Sequence, residues 1–439
     1  MLLTTTVHIN RGHQYSDMLY HMCYHAARLY NVGLYSVRQH FFNTNTYLPY
    51  YLNYHECKDN ENYKLLLTDT GQQILRLVDR DMKGFFALLK LKRNGKYTEK
   101  VRLPRYKDKE GLMMFAVQGR SVRRKGDIVR IGVTKEMREL YNFNERYVEF
   151  IVPKNIRHIS KFNEVHIVPL FGGKEFNVVF VYDSSENNYE QVDKKSDGYL
   201  SIDIGVNNLM ACTIYSNGRV RQFLIDGKPL KSINAYYNKM KAMLQEEYSK
   251  NKGISGLSTK RFARLSNGRA NRIDDYFNKT VSLIAKLCLQ YGLSTVVIGY
   301  NKGWKDGVRL RKATTQNFVD IPFHKLRQKL QCKCELHGIA FVPQEESYTS
   351  KASSLDLDAI PTYGEEGADE VKFSGRRTKR GLYKSKDGYR LNADINGSVN
   401  ILRKYLTCNG KADLSADSIR ALVNAPCQKA NAFCSSPLI

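Results

Sequence analysis

An aspartate interrupts an apolar run in the segment Ser201-Ile202-Asp203-Ile204-Gly205-Val206-Asn207-Asn208-Leu209. The residues before Gly205 fit a buried strand over 199–204, where a carboxylate is costly to bury without a cation. Gly205 allows a sharp turn directly after the strand, at a place where a ligand can approach the backbone. Asp203 is therefore a candidate metal ligand, although a capped or salt-bridged aspartate would fit the same pattern.

The chain after this segment alternates between strand and helix patterns. Ser216-Asn217-Gly218 is a strong hairpin signal, because Asn-Gly supplies the left-handed residues that a two-residue turn requires. A later strand is almost wholly β-branched and apolar, as buried parallel strands are. The predicted elements are strands at 199–204, 209–215 and 220–225, helices at 233–248 and 261–291, a strand at 294–298, a helix at 322–336, a strand at 339–343 and a helix from about 396. This order predicts an α/β domain over 198–407.

A second aspartate opens the last helix, in the segment Asn392-Ala393-Asp394-Ile395-Asn396-Gly397-Ser398-Val399-Asn400-Ile401-Leu402. An acid at such a position commonly caps the helix N-terminus, which is the simplest explanation for Asp394. Asp394, Gly397, Ser398 and Ile401 nevertheless share one face of the predicted helix. Small residues on that face would let the helix approach a sheet closely.

The N-terminal half combines one strand, two helical stretches and a run of short strands. Val7 and Ile9 alternate as on one face of a strand, and apolar residues have helical spacing from Ser16 onward and over 70–92. Further strands are predicted at 101–106, 113–117, 127–133, 148–152 and 165–182, the last broken by Gly172-Gly173. We expect a small β-barrel from 1–10 and 100–185, split by a helical insertion over 11–99. A polar linker over 186–197 and a tail without firm periodicity over 408–439 complete the prediction.

The chain carries 69 lysines and arginines against 43 aspartates and glutamates, a formal net charge of +26. Such an excess attracts polyanions, since each neutralised phosphate releases condensed counterions. The residues that we expect to contact nucleic acid lie early in the helix over 261–291 and in a loop-rich segment over 347–391. They are Lys260, Arg261, Arg264, Arg269, Arg272, Arg376, Arg377, Lys379 and Arg380. A solvated helix face would carry the same charges, so charge alone names only the class of partner.

Several other classes of protein are disfavoured. Nine cysteines, an odd number without framework spacing, suit free thiols in a reducing cytosol, so we expect a cytoplasmic protein. Its attraction to polyanions would associate it with the nucleoid in a prokaryote. The first residues lack a signal-peptide pattern, and no uncharged apolar run approaches the ~18 residues of a membrane span. His21 and His25 have a spacing that can hold zinc, but their neighbours favour packing. A phosphate-binding Gly-x-x-x-x-Gly-Lys motif is absent, which argues against nucleotide hydrolysis.

The two aspartate segments resemble the first and last RuvC motifs of the TnpB family, the transposon-encoded proteins from which type V CRISPR effector nucleases arose. The resemblance runs in order from about 200 to 404 and is weaker over the N-terminal half. It implies an RNA-guided DNA endonuclease with a ribonuclease-H-like RuvC domain, preceded by a wedge-like barrel that carries a helical recognition insertion. Its partners would be a structured guide RNA and double-stranded target DNA, bound to a monomeric protein. Three carboxylates would hold two Mg²⁺ ions, and Asp203 and Asp394 match two of them.

The third carboxylate of the family pattern is missing from its usual place, because Gly299 follows the strand over 294–298 and the next acid is Asp306. The following strand ends in Glu345-Glu346-Ser347-Tyr348-Thr349-Ser350-Lys351, which resembles a branch of the TnpB family with a rearranged site. Neighbouring strands lie about 4.8 Å apart, a gap that a glutamate nearly bridges. The resemblance favours Glu346 over Glu345 as the third catalytic residue and metal ligand, although both could be solvated charges at a strand end.

The resemblance leaves three functions open. An active guided nuclease requires the relocated Glu346, whereas in a nuclease-dead, RNA-guided DNA-binding repressor Gly299 would mark a lost site. A guide-free, resolvase-like or structured-RNA-binding protein would also be basic. Members of the family often carry a four-cysteine zinc element before the last helix, but 347–391 contains no cysteine. We therefore expect no zinc, and a hairpin over 383–389 that turns at Asp387-Gly388.

Overall fold

The computed structural model of the chain describes residues 1–193, 197–252, 259–300, 321–379 and 381–432. These residues divide into two compact units, Met1–Asn188 and Tyr189–Ile439. The division falls inside the polar segment 186–197 of the sequence. Asp306 and Arg380 lie outside the described residues. No helix in the described ranges is both long and apolar enough to cross a membrane.

Helices of the first unit pack around one core. They are α1 (Ser16–Thr44), α2 (Tyr50–Cys57), α3 (Glu61–Lys64) and α4 (Thr68–Arg93). Leu34 of α1 and Leu75 of α4 are fully buried. Gly33 lets α1 approach α4 closely, because a Cβ at this position would stand 2.6 Å from Cδ2 of Leu75. The sequence predicts α1 and α4, whereas α2 and α3 are too short for a periodic signal.

His21 and His25 of α1 serve packing, as the sequence favours. The ring nitrogens of His25 form hydrogen bonds with the side chains of Asn62 (2.8 Å) and Tyr141 (2.7 Å). The ring of His21 stacks on that of Tyr141, with 3.5 Å between centroids. Both bonding positions of His25 are therefore occupied by protein partners.

The strands of the first unit form two antiparallel sheets. The first has the order β1 (Leu2–Ile9), β7 (Glu175–Asp183), β6 (Glu164–Leu170), β2 (Phe115–Gln118), and the second has the order β3 (Val122–Lys125), β4 (Ile128–Gly132), β5 (Tyr147–Ile151). A short helix, α5 (Lys135–Leu140), separates β4 from β5 in the chain. The strands of the expected barrel thus fall into two sheets, and closure into one barrel stays a prediction. A 3-10 turn over Gly119–Ser121 separates β2 of the first sheet from β3 of the second, and a Cβ at Gly119 would collide with the carbonyl oxygen of Phe162.

The strand predicted over 101–106 does not form, and these residues are irregular. Next to them, Lys107 exchanges its backbone hydrogen bonds with a side chain rather than with a strand. Its N–H donates to Oδ1 of Asn31 (2.7 Å), and its carbonyl oxygen accepts from Nδ2 of the same residue (2.9 Å). A polar side chain on α1 thus takes the partners that a neighbouring strand would have supplied.

The second unit is built on a six-stranded sheet. Its order is β12 (Ala340–Gln344), β11 (Leu293–Gly299), β8 (Gly198–Ile204), β9 (Asn208–Ser216), β10 (Arg219–Asp226), β16 (Gln428–Ala430). The pairs β8–β9 and β9–β10 are antiparallel, whereas β11 runs parallel to β8 and β12 parallel to β11. Asn217 (φ 52°) and Gly218 (φ 71°) supply the two left-handed residues of the predicted hairpin between β9 and β10.

Helices cover both faces of this sheet. Leu200 and Ile202 face a core shared with α7 (Lys260–Tyr291) and α8 (Phe323–Leu336). Tyr199 and Ala211 face the other core, shared with α9 (Ala393–Cys408) and α10 (Ala416–Asn424). A further helix, α6 (Lys228–Lys252), packs against α7. This is the α/β arrangement that the sequence predicts.

The segment after 408 is more ordered than its sequence suggests. Helix α10 begins after Ser415, whose Oγ accepts from the N–H of Ser418 (3.2 Å), and β16 adds a parallel edge strand to the sheet beside β10. Gln222 fixes α10 by donating to the carbonyl oxygens of Leu422 (2.8 Å) and Ala425 (3.1 Å). The expected tail is therefore corrected: residues 416–430 belong to the second unit. A helix of nine residues gave too short a periodic pattern to be recognised.

Candidate active site

Asp203 is the penultimate residue of β8 and faces α9. Side chains alternate along a strand, so Asp203 shares a face with Ser201. A Cβ on Gly397 would stand 2.6 Å from Oδ2 of Asp203, so the aspartate needs a glycine opposite it. Beside this contact, Ser201 Oγ donates to the carbonyl oxygen of Ser398 (2.7 Å), and Ser398 Oγ donates to that of Ser201 (3.0 Å). The small face of α9 thus packs closely against the sheet, as its sequence predicts.

Asp394 lies in the first turn of α9, but it does not cap the helix. The cap is Asn392, whose Oδ1 accepts from the N–H groups of Asp394 (2.9 Å) and Ile395 (3.3 Å). The helix begins at 393 rather than near 396 for this reason. The carboxylate of Asp394 accepts from Nδ2 of Asn208 (2.8 Å) and from Nη2 of Arg377 (3.2 Å). The capping explanation for Asp394 is therefore wrong, and its carboxylate is available for chemistry next to β8.

Glu346 occupies the space that a side chain at position 299 would need. Gly299 ends β11 and pairs with Gln344 at the end of β12, two residues before Glu346. A Cβ built on Gly299 would collide with Oε2 of Glu346 and would stand 2.7 Å from Cδ1 of Ile401. The carboxylate of Glu346 thus reaches across from the neighbouring strand to the place where β11 carries no side chain.

Glu345 has a different environment from Glu346. Its carboxylate forms an ion pair with Lys404 of α9, which is only 4% exposed, and accepts from the N–H of Ser347 (2.7 Å). Burial alone would raise the pKa of Glu345, but the hydrogen bonds from Lys404 and Ser347 outweigh it, and the pKa lies below its usual range. The two adjacent glutamates are therefore distinct: Glu345 is tied to α9, and Glu346 lies against Gly299.

The electrostatics connect the three predicted acids. Burial and the nearby carboxylates of Glu346 and Asp394 raise the pKa of Asp203 well above its usual range, an effect that the Arg377 guanidinium opposes. Burial, followed by repulsion from Glu345, raises the pKa of Glu346 to about 7. Negative charge is therefore concentrated where β8, β12 and α9 meet, and it is energetically unfavourable without a cation.

This concentration of carboxylates matches the ligand preference of a divalent metal ion. Mg²⁺ prefers carboxylate oxygens, and Asp203, Glu346 and Asp394 supply carboxylates from three separate elements. Nevertheless, within the part of the chain that the structure describes, no three His, Cys, Asp or Glu side chains are grouped closely enough to hold an ion. The guanidinium of Arg377 supplies a positive charge in contact with Asp394. The donor types and the charge fit a metal, and the carboxylates would have to close around it.

Two segments of the chain match known family models. Residues 180–305 match OrfB_IS605, described as a probable transposase, and 323–401 match the TNB domain of Cas12f1-like proteins. Over 417 residues the chain is 23% identical to the TnpB-like protein ORF457 of Acidianus two-tailed virus, covering 86% of this chain and 81% of the viral protein. Over most of its length the chain is similar to a TnpB-like protein. Asp203 lies in the first matched segment, and Glu346 and Asp394 lie in the second.

A solved complex contains a protein whose fold is similar to that of this chain. The cryo-EM structure of a Cas12f1–sgRNA–target DNA complex matches it with a TM-score of 0.56 and 16% sequence identity, covering 89% of this chain and 82% of the other. At this identity the likeness concerns the mixed α/β fold alone.

TNB domains usually bind zinc, and the loop-rich part of the matched segment, 347–391, has different side chains. Between β12 and α9 it holds hydrogen bonds around two carboxylates. Asp358 accepts from the N–H groups of Ser353 (2.7 Å) and Ser374 (3.0 Å), and Asp356 accepts from Ser353 Oγ (2.6 Å) and from the N–H of Lys386 (3.1 Å). Residues 347–391 contain neither cysteine nor histidine. These groups do not fit the sulfur and nitrogen preference of a structural zinc ion.

The hairpin predicted in this segment is present. Strands β13 (Arg376–Lys379), β14 (Leu382–Lys384) and β15 (Arg390–Asn392) form a small antiparallel sheet, and the turn before β15 contains Gly388 at φ 89°. Tyr383 anchors it to the preceding loop by donating to the carbonyl oxygen of Lys351 (2.7 Å). A buried tyrosine thus ties the hairpin to the segment that begins with Glu346.

The predicted nucleic-acid contacts differ in their surroundings. On α7, Lys260, Arg264 and Arg272 are exposed, while Arg261 pairs with Glu247 (3.2 Å). Arg269 donates to Oδ1 of Asn234 (2.8 Å).

On β13, Arg376 and Lys379 are exposed. Arg377 instead lies on Asp394, so it belongs to the candidate site rather than to a free basic surface. Arg380 lies outside the described residues.

Two buried asparagines that sequence reasoning missed tie the segment after Glu346 to α9. Asn396 donates to the carbonyl oxygen of Ala352 (2.8 Å) and accepts from the N–H of Ser354 (3.0 Å). Asn400, one turn later, donates to the carbonyl oxygens of Thr349 (2.9 Å) and Ala352 (2.7 Å). The signal was present in the sequence, since two asparagines four residues apart lie on the same helix face and can contact one neighbouring segment.

Proposed function

We propose that this TnpB-like protein is an RNA-guided DNA endonuclease that hydrolyses phosphodiester bonds with a metal-dependent RuvC-like site. The observation that carries the proposal is that the carboxylate of Glu346 fills the space that a side chain at position 299 would need. A site that had simply lost its third acid would leave the space beside Gly299 to solvent or to an apolar side chain. Here a carboxylate from the next strand occupies it, beside Asp203.

Asp203, Glu346 and Asp394 would hold two Mg²⁺ ions, which would activate water and stabilise the leaving oxygen of the phosphodiester. The chain's own residues prepare this site. Asn208 orients the carboxylate of Asp394 through its hydrogen bond. Arg377, 46% exposed, supplies positive charge at the same carboxylate and is within reach of a phosphate that approaches it.

The partners proposed are a structured guide RNA and a double-stranded DNA target. The net charge of +26 supports polyanions as partners, and the similar solved fold comes from a complex with a guide RNA and target DNA. Base pairing with the guide would read the target sequence. The wedge-like strands and the helical insertion over 11–99 would read a short adjacent DNA motif, and the loop-rich segment over 347–391 would contact the target strand.

The test is magnesium-dependent cleavage of a plasmid library with randomised target-adjacent bases, using protein co-expressed with RNA from its flanking locus. Wild-type protein should cut plasmids that share one adjacent motif. Asp203→Ala should bind the same plasmids without cutting, because it removes a metal ligand and none of the basic residues. A wild-type protein that binds in an RNA-dependent manner but never cuts would establish a nuclease-dead guided DNA-binding protein instead. Binding that is indifferent to the RNA would favour a guide-free protein.

A further inference from the structure

A pocket open to solvent lies between α6 and α7, away from the carboxylates. Its volume is about 200 Å³, and its lining includes Tyr236, Tyr237, Arg264, Gly268, Arg269 and Arg272. The lining contains two tyrosines and three arginines and no acid. Rings stack on nucleobases and guanidinium groups bind phosphates, so the composition suits a nucleotide.

One wall of the pocket is fixed by internal contacts. The guanidinium of Arg269 lies 4.9 Å from the centroid of the Tyr237 ring, and its Nε donates to Oδ1 of the buried Asn234 (2.8 Å). The Tyr237 ring also packs against Phe262, with 6.2 Å between centroids. Arg269 and Tyr237 thus form a fixed wall of the pocket, whatever binds against it.

The other wall is exposed. The side chain of Tyr236 is 54% exposed, a large fraction for a tyrosine at a pocket edge. Arg264 and Arg272 are exposed too, and neither forms an ion pair with any residue in the described ranges. An aromatic face and two charges that no described acid neutralises therefore meet at the mouth of the pocket.

Gly268 leaves the pocket open. It lies inside α7, where glycine is a poor helix former. A Cβ at this position would meet no atom within 4 Å. Any larger side chain would project into open space next to Arg264 and Arg272, one turn away on either side. Replacement of this glycine therefore offers a way to fill the pocket without disturbing its walls.

We propose that this pocket binds one unstacked nucleotide of a single strand, with the base on Tyr236 and the adjoining phosphate on Arg264 and Arg272. The proposal rests on the proposed function, in that it requires a nucleic-acid partner, and it adds a defined subsite to it. The base could come from the guide RNA or from a displaced DNA strand, which share the ring and phosphate chemistry. The subsite reads the ring face and so tolerates any base.

The test compares Gly268→Leu with Gly84→Leu, a matched control on α4 where a Cβ also meets no atom within 4 Å. Affinity is measured for single-stranded RNA and DNA oligonucleotides that carry 2-aminopurine, a fluorescent base whose emission reports stacking. We expect Gly268→Leu and Tyr236→Ala to weaken binding by about tenfold and to change the 2-aminopurine emission of the bound strand. Gly84→Leu should bind as wild type. Whichever oligonucleotide shows the effect identifies the source of the base.

Salt dependence supplies a second readout. Arg264→Gln should reduce the slope of log affinity against log salt by about one, whereas Tyr236→Ala should leave the slope unchanged. If Gly268→Leu binds the oligonucleotides with wild-type affinity and wild-type 2-aminopurine emission, the proposal that this pocket binds a nucleotide is wrong, even if the protein still cuts guided targets. Absence of guided cutting or binding by the wild type, by contrast, would overturn the proposed function whatever the oligonucleotides show.

Discussion

Gly299 and Glu346 share one volume: the Cβ that any other residue would place at 299 collides with Oε2 of Glu346. The glycine at the end of β11 and the glutamate after β12 are therefore one feature of the site. A carboxylate is present beside Asp203, but it comes from Glu346 after β12 and not from the end of β11. This relationship makes a small substitution at 299 as informative as the removal of an acid.

Replacing Gly299 with alanine should reduce guided cleavage by about 10- to 100-fold, the range found when groups that orient metal ligands are removed. The added methyl would displace the carboxylate of Glu346 and press on Ile401. Single-turnover cleavage rates at saturating Mg²⁺ measure the effect. The control is Gly84→Ala, where a Cβ meets no atom within 4 Å. Equal rates for Gly299→Ala and wild type would contradict the shared volume.

Without a metal, the site should destabilise the fold as the pH rises. The pKa of Glu346 is about 7 against an ordinary value of 4.5, so the folded state binds more protons than the unfolded state between these values. The contribution of Glu346 to stability should therefore fall from about pH 4.5 to pH 7, by up to about 3 kcal/mol, and level off above.

Glu346→Gln removes this charge, so in chelator the variant should exceed wild type in unfolding free energy at pH 8 and match it near pH 4. Denaturant titrations at the two pH values check the difference. Added Mg²⁺ should close the gap at pH 8, because an ion relieves the repulsion in wild type. A gap that is the same at both pH values would speak against Glu346 as the titrating group.

Glu345 should prove structural. Lys404→Met leaves Glu345 partly buried without its partner and should lower the unfolding free energy by about 2–3 kcal/mol, less than for a fully buried pair. The double variant Lys404→Met/Glu345→Gln should recover most of this loss, since no unpaired charge remains. Thermal unfolding of the single and double variants provides the measurement. Additive losses in the double variant would mean that the ion pair does not act as a unit.

The segment that corresponds to a zinc-binding domain should be stable without zinc. Asp358→Ala leaves the N–H groups of Ser353 and Ser374 without their acceptor and should cost about 2 kcal/mol. Asp387→Ala, which removes only an exposed pair with Arg420 at 3.9 Å, is the matched control and should be nearly neutral. Purified protein should contain far less than one zinc per chain, and a zinc chelator should leave its melting temperature unchanged. Stoichiometric zinc by mass spectrometry would refute this.

The sequence predicts the long helices and strands because the spacing of their apolar residues repeats over several turns or alternations. Three features have the structure that their local sequence predicts. They are the strand that holds Asp203, the hairpin at Asn217 and Gly218, and the face of small residues on α9. The approach of Gly397 to Asp203 follows from residue size alone. These parts of the fold depend on short-range rules of periodicity, turn geometry and volume.

Other features depend on partners far away in the chain, which no local pattern reveals. The role of Asn392 as helix cap, rather than Asp394, depends on where α9 begins. Arg377 looked like a surface cation, and only the folded hairpin brings it to Asp394. The difference between Glu345 and Glu346 comes from Lys404, 59 residues later. Such contacts require the tertiary structure, because adjacent residues of the same type have the same local signal.

The most direct test of the relocated acid compares Glu346→Gln with Glu345→Gln in guided cleavage of a single target. Both changes are nearly isosteric, both remove one charge, and they differ by one position in the chain. We predict that Glu346→Gln abolishes cleavage while retaining RNA-dependent target binding, and that Glu345→Gln cuts within about tenfold of wild type. Full cleavage by Glu346→Gln would contradict the account, since the carboxylate beside Gly299 would then have no part in the reaction.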